Sequence, residues 1–402
     1  MSRYSQEFIR AIPKTDLHVH LDGSLRLGSL IEMARERRIK LPSETETGLD
    51  ELVFKSAYAS LNEYLECFTW TLKVLQDAEG LERSAYELAK DNQAEGVRYL
   101  EVRFAPQLHM SPQLSFDAVV AAVDRGLRRA RDEANRALLA DEPPFDYGII
   151  VCAMRAFTAE FSDYYRNLCR VLSYSSQPEI IRAASLELAR AAVQLRKESS
   201  LQIVGFDLAG AESGFPAGAH EESYDYVHRN FMKKTVHAGE AYGPESIFQA
   251  IAKLHADRIG HGLHMFDEEM IYSGSVQDKR AYVENLVNYI AENRTTIEVC
   301  LTSNLQTSPS LRSVSDHSVR EMLRNKLSLT FCTDNRLVSH TTVSRELSLA
   351  LENFSIPPDA LKDIIIYGFK RSFYYHPYAM KRKWVRQVID YYERLERTYG
   401  VA

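Results

Sequence analysis

Six side chains in this sequence could between them carry out a hydrolysis. They are His18 and His20 in Thr15-Asp-Leu-His-Val-His-Leu21, His237 and Glu240 in His237-Ala-Gly-Glu240, His261 in Arg258-Ile-Gly-His-Gly262, and Asp334 in Cys332-Thr-Asp-Asn335. Imidazole nitrogens and a carboxylate oxygen are ligands that a zinc ion accepts while leaving a position open for water or substrate. A carboxylic acid beside such a site can move protons. Singly each motif has a plainer reading. An isolated H-x-H on a strand can be two satisfied core histidines, and an aspartate after an apolar strand often caps a helix. The chemistry requires that all six arrive at one place.

The elements around them are placed to do that. Alternating or short apolar runs predict strands at 15–21, 97–105, 147–154, 201–208, 233–237, 258–260, 296–300 and 328–333. Helical patterns fall between them at 27–38, 61–76, 82–95, 117–139, 162–197, from about 244, and at 280–292. Residues 40–56 read as a loop and 267–279 as a surface insertion, and the tail 346–397 is helical with breaks near Pro357-Pro358 and Pro377. Eight strands alternating with helices predict an α/β fold, a (β/α)8 TIM barrel with additional helices and surface insertions, forming one domain over residues 1–402. Its helical lid region spans about 57–95 and its C-terminal helices about 341–402. In such a barrel the active site lies at the carboxyl ends of the strands. His18 and His20 end the first strand on one face, since residues two apart share a face. His237 ends the fifth, with Glu240 in the turn after it; His261 ends the sixth and Asp334 the eighth.

Composition narrows the function class. The 49 basic and 55 acidic residues are interspersed and leave a net charge of -6, which argues against a nucleic-acid surface and suits a small neutral substrate. No apolar run approaches the ~20 residues of a membrane helix. The polar stretch from Met1 to Lys14 carries no secretory signal pattern, so a cytoplasmic location is expected. The five cysteines are scattered, odd in number and form no C-x-x-C, which reads as reduced thiols and excludes a cysteine zinc site.

Taken together, Thr15–Leu25, Phe206-Asp-Leu-Ala-Gly210, Val236–Glu240, Arg258–Gly262 and Thr333-Asp334 resemble the adenosine deaminase branch of the metal-dependent barrel deaminases, in that family's order and over most of the chain. The resemblance implies one Zn2+ per chain held by His18, His20, His237 and Asp334, although iron or cobalt could occupy the same ligands. It implies that Glu240 protonates purine N1 and that His261 orients and deprotonates the attacking water. It also implies that the Gly210 N–H meets ring N3, that Asp22 binds the ribose 5′-hydroxyl, and that Leu61 and Leu65 belong to an apolar lid with Tyr64 and Phe68. The reaction implied is hydrolysis of adenosine or 2′-deoxyadenosine to the inosine analogue and ammonia, in purine salvage.

One position departs from the pattern: Asn335 stands where the family has a second aspartate against purine N7. An asparagine amide can donate to that acceptor at any pH. The departure brings in a sister deaminase acting on a modified adenosine, an N6-substituted nucleotide or 6-aminodeoxyfutalosine. A metal phosphoesterase would want basic residues at the strand ends, and a binding protein without catalysis would lack a ligand or the acid. Glu101 and Arg103, two apart on the second strand, are expected to point inward as a paired polar layer. The other histidines, His109, His220 and His317 among them, match no motif and default to surface or structural roles.

Overall fold

In the computed structural model, which describes residues 4–401, eight strands run parallel in chain order. They are β1 (Lys14–His20), β2 (Val97–Phe104), β3 (Asp146–Met154), β4 (Ile203–Ala209), β5 (Lys233–Ala238), β6 (Arg258–His261), β7 (Thr296–Val299) and β8 (Leu329–Phe331). The ring is closed just beyond β8. There the Asp334 amide donates to the His18 carbonyl at 2.8 Å and the His20 amide donates to the Asp334 carbonyl at 2.7 Å. This is the expected (β/α)8 barrel, and its seam runs through three of the candidate ligands.

Strand alternation sorts the side chains. Leu17, Val19 and Leu21 are fully buried in the apolar layer, while Asp16, His18 and His20 take the other face. Outside the strands, helix Phe116–Arg136 buries Val119, Val120, Val123, Leu127 and Ala130, a stripe at three- and four-residue spacing. Its first turn is capped by the Ser115 hydroxyl, which accepts from the Ala118 amide at 3.3 Å. Truncating Leu127 there would cost about 2–5 kcal/mol. Helix Gln177–Glu198 starts on a capping box, with the Glu179 carboxylate accepting the Ser176 amide at 2.7 Å.

The barrel interior is polar in its middle. Arg103 reaches Asp207 at 2.9 Å, Glu298 at 2.8 Å and the Leu17 carbonyl at 2.6 Å. Arg258 bonds Glu298 at 2.6 Å, pairs with Glu101, and stacks its guanidinium over the Phe373 ring at 3.6 Å. Glu101 and Arg103 therefore do form the paired inward layer their alternation suggests, completed by β4, β6 and β7.

Several local expectations need correction. Residues 40–56 are not all loop, because Thr45 caps a short helix, Glu46–Leu52, by accepting from the Gly48 amide at 3.2 Å. The segment 61–76 is two helices, Leu61–Glu66 and Phe68–Val74, meeting at Cys67. The helix placed at 82–95 begins earlier, at Ala78, because the Asp77 carboxylate caps it. β8 is only three residues long, since the chain turns at Asp334 to close the barrel. Helices Gln6–Ala11, Glu221–Arg229, Leu301–Thr307 and Val319–Arg324 were not legible as helices. All are shorter than ten residues, too short for apolar periodicity to declare itself.

Candidate active site

The carboxyl ends of β1, β5, β6 and the β8 seam bring all six sequence-selected residues together. One potential ligand atom from each of His18, His20, His237 and Asp334 lies within 4.8 Å of the others, and the same holds for Glu240, His261 and Asp334. His18 Nε2 is 3.3 Å from Asp334 Oδ1, His20 Nε2 is 3.5 Å from it, and His20 Nε2 is 3.1 Å from His237 Nε2. Backbone strain accompanies the arrangement: His261 and Asp334 sit in the left-handed region at φ 66° and 60°, a conformation that costs a non-glycine residue about 1–2 kcal/mol. Gly260 makes room for the cluster, since a Cβ there would fall 2.9 Å from His18 Cε1.

The hydrogen bonds behind these residues decide what they present. His18 Nδ1 faces Glu298 at 2.8 Å and His237 Nδ1 faces Asp207 at 3.1 Å. A carboxylate accepts, so both imidazoles carry their proton on Nδ1 and aim an Nε2 lone pair inward. His18 Nε2 is buried with no hydrogen-bond partner. Lone pairs of two histidines and the Asp334 carboxylate thus converge within a few ångströms, an arrangement that repels itself unless a cation sits among them. The donor set fits a metal ion. Asp334 is further held by the Ser303 hydroxyl, which donates to Oδ2.

Opposite the ligands stand Glu240 and His261, with Glu240 Oε2 3.7 Å from His261 Nε2. Burial, then the negative charges of Asp334 and Glu212, raise the Glu240 carboxyl far above its ordinary value. Burial also keeps the His261 ring neutral, against the pull of Asp334. The loop carrying Glu240 is fixed by Glu212, whose carboxylate accepts from the backbone N–H groups of Gly239 (2.9 Å), Glu240 (2.9 Å), Ala241 (2.7 Å) and Tyr242 (3.0 Å). Arg155 donates to the His237 carbonyl at 2.6 Å and steadies the end of β5.

A cavity of about 1220 Å³ opens onto these groups, ample for a nucleoside. Asp22, Gly210, Asn335, Leu61 and Leu65 all line it. Burial pushes the Asp22 carboxyl up to about 7 and leaves its Oδ1 without a partner. The Asn335 amide donates to the Tyr64 hydroxyl at 2.8 Å, and its Oδ1 has no partner. Gly23 is required beneath it, because a Cβ there would lie 1.8 Å from Asn335 Oδ1.

Sequence reasoning passed over the residues that orient the site. Asp207 lies inside a segment used for the resemblance, and Glu298 alternates with the apolar residues of β7, so both left a signal. Glu212 sits in a loop and left none. Ser303 and Asn304 come from the unforeseen helix Leu301–Thr307, and Asn304 links His261 to His317, 3.1 Å on each side.

Comparison with known proteins agrees with this geometry. A family model described as adenosine deaminase matches residues 13–391. Adenosine deaminase 1 of Streptomyces coelicolor is 36% identical over 375 residues, covering 92% of this chain and 84% of that protein. Adenosine deaminase of Vibrio atlanticus is 31% identical over 363 residues, covering 90% and 94% respectively. An amidohydrolase of Burkholderia ambifaria solved with bound zinc is similar in fold, with a TM-score of 0.75 at 18% identity over 99% of this chain and 95% of that one. No helix among the described residues is long and apolar enough to cross a membrane. An acid held protonated beside a metal-ready cluster is what hydrolysis of an aromatic amidine needs, and the chain belongs to the adenosine deaminase family, metal-dependent enzymes that remove the amino group of adenosine by hydrolysis.

Proposed function

We propose that the chain binds one Zn2+ through His18, His20, His237 and Asp334 and deaminates adenosine and 2′-deoxyadenosine, with Glu240 and His261 as catalytic residues. The observation that carries this reading is the convergence of three imidazoles and the Asp334 carboxylate on one side of the site, facing a carboxyl with a raised pKa on the other. When bound, zinc supplies Lewis-acid activation of water near neutral pH.

The protein's own groups do the rest. Glu240 holds a proton in a buried setting and delivers it to purine N1 as the water oxygen adds to C6. Protonation there removes the negative charge that addition would otherwise place on the ring. His261, across from Glu240, orients the attacking oxygen. The C6–N bond then breaks: one proton of the water goes to the leaving amino group, which departs as ammonia, the other restores Glu240, and the oxygen stays at C6 as inosine, which keeps the N1 proton. Gly210 meets ring N3, Asp22 takes the 5′-hydroxyl, and Leu61 and Leu65 cover base and sugar and exclude water. Asn335 faces the N7 side, with one amide hydrogen committed to Tyr64 and the second free for the ring. Adenosine is favoured over the modified nucleosides, because the curated relatives named above are adenosine deaminases.

The test is the loss of adenosine's ultraviolet absorbance on adding zinc-loaded protein, with Glu240→Gln beside it. Conversion to inosine that collapses in the variant, with zinc content unchanged, supports the reading. Turnover that survives the substitution would remove Glu240 as the acid.

A further inference from the structure

The hydrogen-bond chain behind His261 ends on a backbone amide, and that end determines every proton in it. The Val319 N–H donates to His317 Nδ1 at 3.2 Å. A backbone N–H is a donor only, so His317 Nδ1 must be an acceptor. His317 is buried, and burial lowers its imidazole to about 3, so the ring is neutral and its one proton sits on Nε2. His317 Nε2 then donates to Asn304 Oδ1 at 3.1 Å. That orients the amide, a group whose oxygen and nitrogen are otherwise interchangeable. The Asn304 nitrogen is left facing His261 Nδ1, also at 3.1 Å, and donates to it. With Nδ1 accepting, a neutral His261 carries its proton on Nε2.

We infer that Asn304 and His317 are positioning residues that lock His261 in the Nε2–H form, so that it presents a hydrogen-bond donor to the reacting atoms. Nε2 is buried and has no partner of its own. It lies 3.7 Å from Glu240 and belongs to the same close group as Asp334, so a donor there points into the space where the attacking oxygen must pass. The family resemblance has this histidine orient and deprotonate the attacking water. The wiring in this chain gives the opposite polarity in the resting protein: His261 orients the oxygen by donating to it and steadies negative charge on it. The inference rests on the site reading above only in taking His261 to face the substrate.

The test is a long-range proton–nitrogen correlation spectrum of the zinc-loaded, 15N-histidine-labelled protein, with the His261 signals assigned by their loss in His261→Asn. The expected spectrum has a protonated Nε2 and an acceptor Nδ1. A protonated Nδ1, or an even mixture of the two tautomers, overturns the inference with the lock itself left intact. Asn304→Asp carries the test further, because a carboxylate only accepts and calls for a proton on His261 Nδ1 instead. The tautomer should reverse in that variant. kcat should fall by on the order of 10²-fold or more while KM changes little, as befits a histidine held in the wrong tautomer. An unchanged tautomer in Asn304→Asp contradicts the lock. The spectrum is read without substrate, so an inactive wild-type protein would count against the proposed reaction and leave the tautomer result standing.

Discussion

Two buried polar layers sit one above the other inside the barrel, and they differ in how completely their groups are paired. In the lower layer, Glu101, Arg103, Asp207, Arg258 and Glu298 exchange charge-assisted hydrogen bonds, and only Arg103 Nε lacks a partner. In the upper layer, His18 Nε2, His261 Nε2, Asp22 Oδ1 and Asn335 Oδ1 are all buried and unpaired. A buried polar atom left unsatisfied costs about 1–3 kcal/mol, so the chain bears that cost several times over at one rim of one barrel. The lower layer is built to hold position. The upper one leaves buried polar atoms free for the proposed ion and substrate, and two strained residues, His261 and Asp334, are found there as well. The layers share members, since Glu298 and Asp207 bond Arg103 below and His18 and His237 above. Rigidity in the one is thereby handed to the other.

Mutating each layer should separate the two roles. The largest effect on activity is expected from Glu240→Gln in the upper layer, a loss in kcat of about 10²–10⁴-fold, with a melting temperature close to that of the parent because the protonated Glu240 is replaced by an isostere that is also neutral. A clear drop in melting temperature would mean that the upper layer also supports the fold. Arg103→Met in the lower layer should do the reverse. It removes the guanidinium that Asp207 and Glu298 share, leaving Glu298 with Arg258 alone as its cation, and should cost about 3–5 kcal/mol of stability, read from denaturant unfolding. An Arg103→Met protein as stable as the parent would break the distinction.

How much of this could be read in advance follows from the same contrast. The proposed ligands and acid were legible only jointly, because each histidine or carboxylate has a plainer reading alone and it is their shared position at the ends of β1, β5, β6 and β8 that sets them apart. The barrel was legible because strand and helix patterns alternate along the chain. Glu212 and Asn304 were not, since a carboxylate in a loop and an amide in a seven-residue helix declare their partners only once distant strands are brought together. His317 looked like any other histidine until the fold set it behind His261. The split at Cys67 was hidden because apolar spacing continues across it, while the thiol turns in to the Val53 carbonyl at 3.2 Å.

Smaller effects sharpen the comparison. Glu212→Gln removes one of the negative charges that raise the Glu240 carboxyl. Glu240 works protonated, so activity is present below its folded-state pKa and is lost as pH rises through it. A lower pKa moves that alkaline limb to lower pH. A kcat/KM profile that stays in place would show that Glu212 acts on the loop alone. Leu65→Ala, at the mouth of the cavity, should lower kcat/KM for adenosine by roughly tenfold, the order of effect of apolar groups removed from a binding pocket. Equal loss for a free adenine base would place Leu65 over the base and away from the sugar.

The central claim is that His18, His20, His237 and Asp334 in the upper layer hold a single metal ion, and zinc titration of metal-stripped protein tests it most directly. Adenosine turnover and melting temperature are followed together as zinc is added. Both should rise and break at one zinc per chain, since an ion that binds only the folded state stabilises it. Full turnover without metal, or a break at two ions per chain, would contradict the claim.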